Sequence, residues 1–171
     1  MTCAWRGKRS APRRTDAEEA WRVDFDQLTT GFAAAVPYNR HLGIEVVEIR
    51  DGSATTRLPS SQPLVNHLGT QHASGLFSVA EAASGAAVLP IFADNLDRVL
   101  PLATAASIKF VRSAAGAVTA TAQLPEPASV LARRLEVETR LNLTVQVGLF
   151  DQRGREVAKA SIDWHLRLHR R

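Results

Sequence analysis

In 171 residues the chain holds one cysteine, one methionine and one tyrosine. A lone thiol, Cys3, excludes an intrachain disulfide framework and any zinc site built from cysteines. No run of eighteen consecutive apolar residues occurs, so no membrane span is expected. The N-terminus is basic but lacks the apolar stretch of a secretory signal, which makes a cytoplasmic location the expectation. Acid is missing from one end only. Residues 1–14 carry Arg6, Lys8, Arg9, Arg13 and Arg14 and no carboxylate, which exceeds the whole net charge of +4 and leaves the rest at −1. That stretch has no hydrophobic periodicity and reads as a disordered basic tail over 1–20 rather than a nucleic-acid arm. The remainder, 21–171, is long enough for one domain with a sizeable core, and its 45% apolar and 22% charged composition is that of a globular protein.

What is present is a helix–strand pattern. Residues 16–36 read as a helix, with Asp16 as cap, Glu18 and Glu19 in the first turn and Pro37 as its end. "LGIEVVEIR" and "SATTRLP" flank Asp51-Gly52, a hairpin signal, and the alternation slips between Val46 and Val47, which predicts a bulge. A polar loop over 60–71 follows. In 72–89, Leu76, Phe77, Ala80, Ala83, Ala87 and Val88 recur at helical spacing, while the opposite side is small: Ser78, Ala82, Gly85, Ala86. A helix without a polar face is a buried helix. Residues 90–106, with Pro90 and Pro101, read as an unassigned connector. "SIKFVRS" and "AVTATAQLP" around Ala114-Ala115-Gly116 suggest a second hairpin. Residues 135–149 alternate as a strand, and "DQRG" turns the chain into another at 158–168. About six strands, mostly in hairpins, must then cover one apolar helix: an antiparallel sheet wrapped around a helix, α+β.

The chemistry concentrates in "NHLGTQHASGLFSVAEAASG", residues 66–85. A helix start near Ala73 leaves backbone N–H groups free to stabilise an oxyanion. Asn66 in the loop before it can orient a carbonyl, and His72 at the helix start can donate a hydrogen bond. Glu81 is an acid among apolar neighbours, costly unless paired or used. Nine residues after His72 on a helix is about 13 Å along the axis and about half a turn round. One helix therefore cannot aim both groups at one atom, whereas two antiparallel copies can.

An N-x5-H-x8-[DE] pattern crossing into a buried central helix between antiparallel strands resembles the hotdog-fold acyl-CoA thioesterases, in the branch related to the phenylacetate-pathway (PaaI-type) enzymes. In element order the resemblance covers roughly residues 25–168, and 66–85 is the motif-specific part. It implies a hotdog domain, a homodimer or dimer of dimers with a continuous sheet, and acyl-CoA bound at the interface with no further cofactor. It also implies the roles. Asn66 matches the loop Asn or Gln, and His72 the histidine of a His-Gly-Gly helix start. Ala73 matches the glycine whose N–H polarises the thioester carbonyl, and Glu81 the nucleophile or general base. This chain reads His72-Ala73-Ser74 instead, and where relatives often place a hydroxyl one turn beyond the carboxylate, Ser84 is three residues on and the next position is Gly85. Lys109, Arg112, Arg133 and Arg134, on or beside strands, are candidates for the phosphates of coenzyme A. No metal site is expected, since His67, His72 and Glu81 lack helical ligand spacing. A non-catalytic acyl-CoA binder, or an acyl-thioester hydratase or dehydratase, are the alternative readings. The acyl group is not legible, and the depth of its pocket depends on residues 25–40 and 90–106.

Overall fold

The computed structural model describes residues 23–169; the basic tail assigned to 1–20 and the Asp16 cap lie outside them. Asp24 opens the first helix, Phe25–Ala35 (α1), by accepting the Gln27 N–H at 2.9 Å. Pro37 does not merely end it. It starts a second helix, Pro37–Leu42 (α2), at the position where a missing N–H costs nothing. The two meet at an extended Val36, and Gly43 closes α2 at φ 68°.

Strands Glu45–Arg50 (β1) and Ser53–Leu58 (β2) form the hairpin expected at Asp51-Gly52, with Gly52 at φ 99°. The register shifts between Val46 and Glu48, so the bulge falls where the alternation slips, and Val47 is left exposed. The long helix, Ala73–Val88 (α3), continues as a 3-10 segment over Leu89–Asn95. By length and composition Ala73–Asn95 is apolar enough to cross a membrane, but most of it is buried within the fold, as in a core helix. Then come Val99–Phe110 (β3), Val118–Gln123 (β4), Ala128–Glu138 (α4), Arg140–Asp151 (β5) and Glu156–Leu168 (β6).

All six strands form one antiparallel sheet in the order β1-β2-β4-β5-β6-β3, wrapped around α3. Small side chains on helix and sheet, among them Ala80, Ala83, Ala87, Ala54, Ala120 and Ala122, are all but fully buried in one core. They let the surfaces approach closely. The buried Thr56 hydroxyl donates to the Val79 carbonyl at 2.9 Å and pins helix to sheet.

Three expectations change. The Ala114-Ala115-Gly116 stretch is not a hairpin turn, for β3 pairs with β6 at the sheet edge while β4 lies between β2 and β5. The connector crosses the end of the sheet, held by Val111 and Arg112 N–H groups to the Val157 carbonyl and by Gln71 N–H to the Ala114 carbonyl. Residues 90–106 are not mere connector, because Pro101 sits inside β3, an edge strand that tolerates it. Leu135 and Val137 belong to α4, not to the strand that follows. Ala128, Leu131 and Leu135 are buried at helical spacing, whereas Val137 is 78% exposed. Arg133 and Arg134 are accordingly helical. Thr139 ends α4 at φ 60°, donating its N–H to the Leu135 carbonyl at 2.8 Å.

A β-branched residue in the left-handed region is strained. Thr139→Gly is therefore expected to raise stability by about 1 kcal/mol, read as a higher urea midpoint at unchanged slope. An unchanged or lower midpoint contradicts the strain.

Candidate active site

The loop before α3 is built by Asn66. Its side-chain oxygen accepts the Leu68 N–H at 2.9 Å and the Thr70 N–H at 3.2 Å, and its amide nitrogen lies 3.0 Å from the Thr70 hydroxyl. Asn66 is thus turned into its own loop rather than toward the helix start. A bridge between Val65 and Gln71 and the His72 N–H to the Leu64 carbonyl, 2.9 Å, bring the chain into α3. Gln71 is buried, with its amide nitrogen donating to the carbonyls of Pro59 and Gly116, both at 2.9 Å.

His72 is the N-cap: its Nδ1 accepts the Ser74 N–H at 3.1 Å. Nδ1 is then the unprotonated ring nitrogen, and the proton resides on Nε2. One of the free donors of the first turn is consumed. The N–H groups of Ala73 and Gly75 have no partner among the described residues. Both imidazole and Ala73 are exposed. Thr139 is the only non-glycine residue of the described chain with positive φ. Ala73 therefore takes ordinary helical backbone, where an alanine is accommodated without strain. The glycine of this stretch is Gly75, where a Cβ would lie 3.2 Å from Leu58 Cδ2.

Glu81 lies two turns further on, about 12 Å along the axis from Ala73. It is half-buried, and no ion pair or side-chain hydrogen bond reaches its carboxylate among the described residues. Burial alone raises its pKa above the ordinary value. The carboxylate lines a cavity of about 350 Å³ with Tyr38, Ser74, Phe77 and Ser78. Tyr38 and the two serines carried no sequence signal beyond scarcity and small size. Tyr38 arrives from α2, a helix beyond the Pro37 at which the sequence pattern ends the first one. Ser84 is fully buried and faces away: its hydroxyl donates to the Glu81 carbonyl at 2.8 Å and accepts Trp164 Nε1–H at 3.2 Å.

The four cations do not gather within one protomer. Lys109 and Arg112 lie at the end of β3, whose connector is tied to Gln71 beside the start of α3. Arg133 and Arg134 lie on α4, which meets the opposite end of α3 where Asn95 donates to Glu136 at 2.6 Å. Arg134 is engaged by Glu126 and Glu138 at 2.7 and 3.3 Å. No group of three potential metal ligands occurs among the described residues.

A domain of unknown function, DUF4442, matches residues 26–166. The chain belongs to the DUF4442 family. No curated protein matches it. Among solved structures, the DUF4442 chain is similar to a Pseudomonas aeruginosa protein described as a probable thioesterase, with TM-score 0.71, 24% identity, and coverage of 84% of this chain and 95% of that one. It is similar to a thioesterase family protein from Silicibacter pomeroyi, with TM-score 0.69, 16% identity, and coverage of 85% and 100%. It is also similar to PaaI of E. coli, from the phenylacetic acid degradation operon, with TM-score 0.66, 20% identity, and coverage of 91% and 97%. These likenesses establish the hotdog fold of this DUF4442 member.

Glu81 sets a pH signature. Its folded pKa lies above the ordinary 4.5, so the folded state disfavours the carboxylate at neutral pH and loses that penalty as pH falls below the ordinary value. Glu81→Gln is expected to raise the melting temperature at pH 7, with the gain shrinking toward zero near pH 4. A Gln variant less stable than the parent at pH 7 would show that the carboxylate is compensated.

Proposed function

We propose that this protein hydrolyses acyl-CoA thioesters at a site shared by two copies of the chain. The observation that carries the reading is Glu81: a desolvated, unpartnered carboxylate facing a cavity, too far along its helix to meet the N–H groups of its own helix start. The copies join through β3. This twelve-residue strand is one of the two sheet edges, β1 being the other, and exposes Leu100, Leu102 and Phe110, with little charge to discourage pairing. Edge-to-edge pairing continues the sheet and lays the two α3 helices antiparallel, each helix start beside the other's Glu81.

In this reading the thioester carbonyl accepts the Ala73 N–H at the positive end of the helix. His72 Nε2–H supplies a second donor, and the Asn66 loop fixes where both point. Glu81 of the second copy is the general base. It takes a proton from water as the water oxygen bonds to the carbonyl carbon. The tetrahedral oxyanion then collapses, the carbon–sulfur bond breaks, and the departing thiolate takes the proton back from Glu81. A pKa lifted toward the working pH suits a group that must both accept and return a proton. The step needs no cofactor. Lys109 and Arg112, at the helix-start end of the molecule, receive the phosphates of coenzyme A.

Two variants test the roles. Glu81→Gln is expected to remain dimeric in sedimentation and to lose most thiol release from acyl-CoA; undiminished turnover refutes the assignment. Ala73→Pro removes one N–H where proline is tolerated, since it is the first helical residue and His72 is already extended at ψ 141°. It is expected to lower kcat by about 10²–10³-fold with helix content unchanged. A wild-type kcat would remove the Ala73 N–H from the mechanism.

A further inference from the structure

The covering of α3 is incomplete in a regular way. Phe77 is exposed, Glu81, Gly85 and Leu89 are part-exposed, and the residues between Phe77 and Leu89 that are not on this stripe are buried. Four-residue spacing makes these one ridge of the helix, which winds about 40° round the axis per step. Glu81 and its cavity occupy one end. At the other end lies a second cavity of about 470 Å³ between α1 and the 3-10 segment, with Leu28, Phe32, Ala35 and Leu89 on its wall and Asp24 and Asp94 also lining it. The two cavities have no lining residue in common: Tyr38 of α2 borders the first and Phe32 of α1 the second.

Between them stands Gly85. A Cβ built there would meet Phe32 Cζ at 3.3 Å and the Trp164 ring at 3.6 Å. Without a side chain at 85 the helix surface stays part-exposed there, and the Phe32 ring, which also lines the second cavity, packs against it and closes the way between the two cavities. Glu81 to Leu89 is about 12 Å along the axis, on the order of ten carbon–carbon bonds, each about 1.5 Å long and advancing roughly 1.25 Å in an extended zigzag.

We infer that the second cavity receives the far end of a straight aliphatic acyl chain whose thioester lies at Glu81, with Gly85 and Phe32 as the residues that set the chain length accepted. This rests on the thioesterase reading and names its substrate class. A short or compact acyl group fills only the first cavity. A linear chain of medium length passes over Gly85, displaces the Phe32 ring and buries its end among the side chains of α1.

Thiol release from saturated acyl-CoAs of two to sixteen carbons tests this. For the parent protein, kcat/KM is expected to rise roughly three- to fourfold per methylene up to about ten carbons, then to level off. Gly85→Ala, and more strongly Gly85→Val, are expected to lower kcat/KM for the long members by at least about tenfold while sparing the two- to four-carbon members. Those short substrates also report whether each variant folds. Phe32→Ala is expected to move the optimum to longer chains. A profile flat in chain length, or variants that scale all lengths equally, overturns the inference and leaves the hydrolysis reading intact. If the parent hydrolyses no acyl-CoA, calorimetric binding of decanoate is the readout. Binding that Gly85→Val abolishes supports the pocket without the chemistry; no decanoate binding, or binding unchanged in Gly85→Val, refutes the pocket.

Discussion

One uncompensated desolvation organises this molecule: the Glu81 carboxylate held on the sole open stripe of a helix that is otherwise core. Burying a carboxylate without a partner costs several kcal/mol unless the group is neutralised or used, and no cation is placed to offset it among the described residues. The sheet could have covered that stripe, as it covers every other side of α3. Instead two short helices that meet at Val36 bring Tyr38 and Phe32 to it, and cavities remain beside Glu81 and beside Leu89. A stability cost retained at a cavity wall is the usual accompaniment of function rather than of packing.

The same helix explains why a second copy enters the account. Its free donors and its acid are separated by two turns of rigid helix, and the small residues that press α3 onto the sheet give it no freedom to bend. In the proposed assembly the geometric problem and the unpaired edge of β3 have one solution, since pairing the edges sets the helices side by side. The departure from the family pattern at Ala73 matters less than its sequence suggests. An ordinary helical backbone keeps the N–H available, and the tight approach at a glycine in this region is at Gly75, where a Cβ would meet the end of the Leu58 side chain at 3.2 Å.

Local signals were legible and long-range ones were not. Asp51-Gly52 marked its hairpin and the slip at Val46-Val47 its bulge, because both depend on a few adjacent residues. The apolar spacing of 72–89 marked α3, and Glu81 stood out as the one acid in it. The pairing of β3 with β6 was not readable, since sequence adjacency favours the β3–β4 hairpin and nothing local says that the connector crosses the sheet end. Leu135 and Val137 continue the alternation of β5 by coincidence; the truer signal was Ala128, Leu131 and Leu135 at helical spacing. At the site, Glu81, His72 and Ala73 lie on α3 as expected. The inward fold of Asn66, the capping bond of His72 and the arrival of Tyr38 depend on contacts that only the folded chain provides.

The central claim is that each site takes its base from one copy and its oxyanion donor from the other. Co-expressing differently tagged Ala73→Pro and Glu81→Gln chains, and purifying the mixed dimer through both tags, tests it directly. Each mixed dimer contains one site with both groups intact and one with neither, so its turnover per dimer is expected to return to about half that of the parent dimer, although each parental variant is nearly inactive alone. A mixed dimer no more active than the two variants measured separately would contradict the shared site.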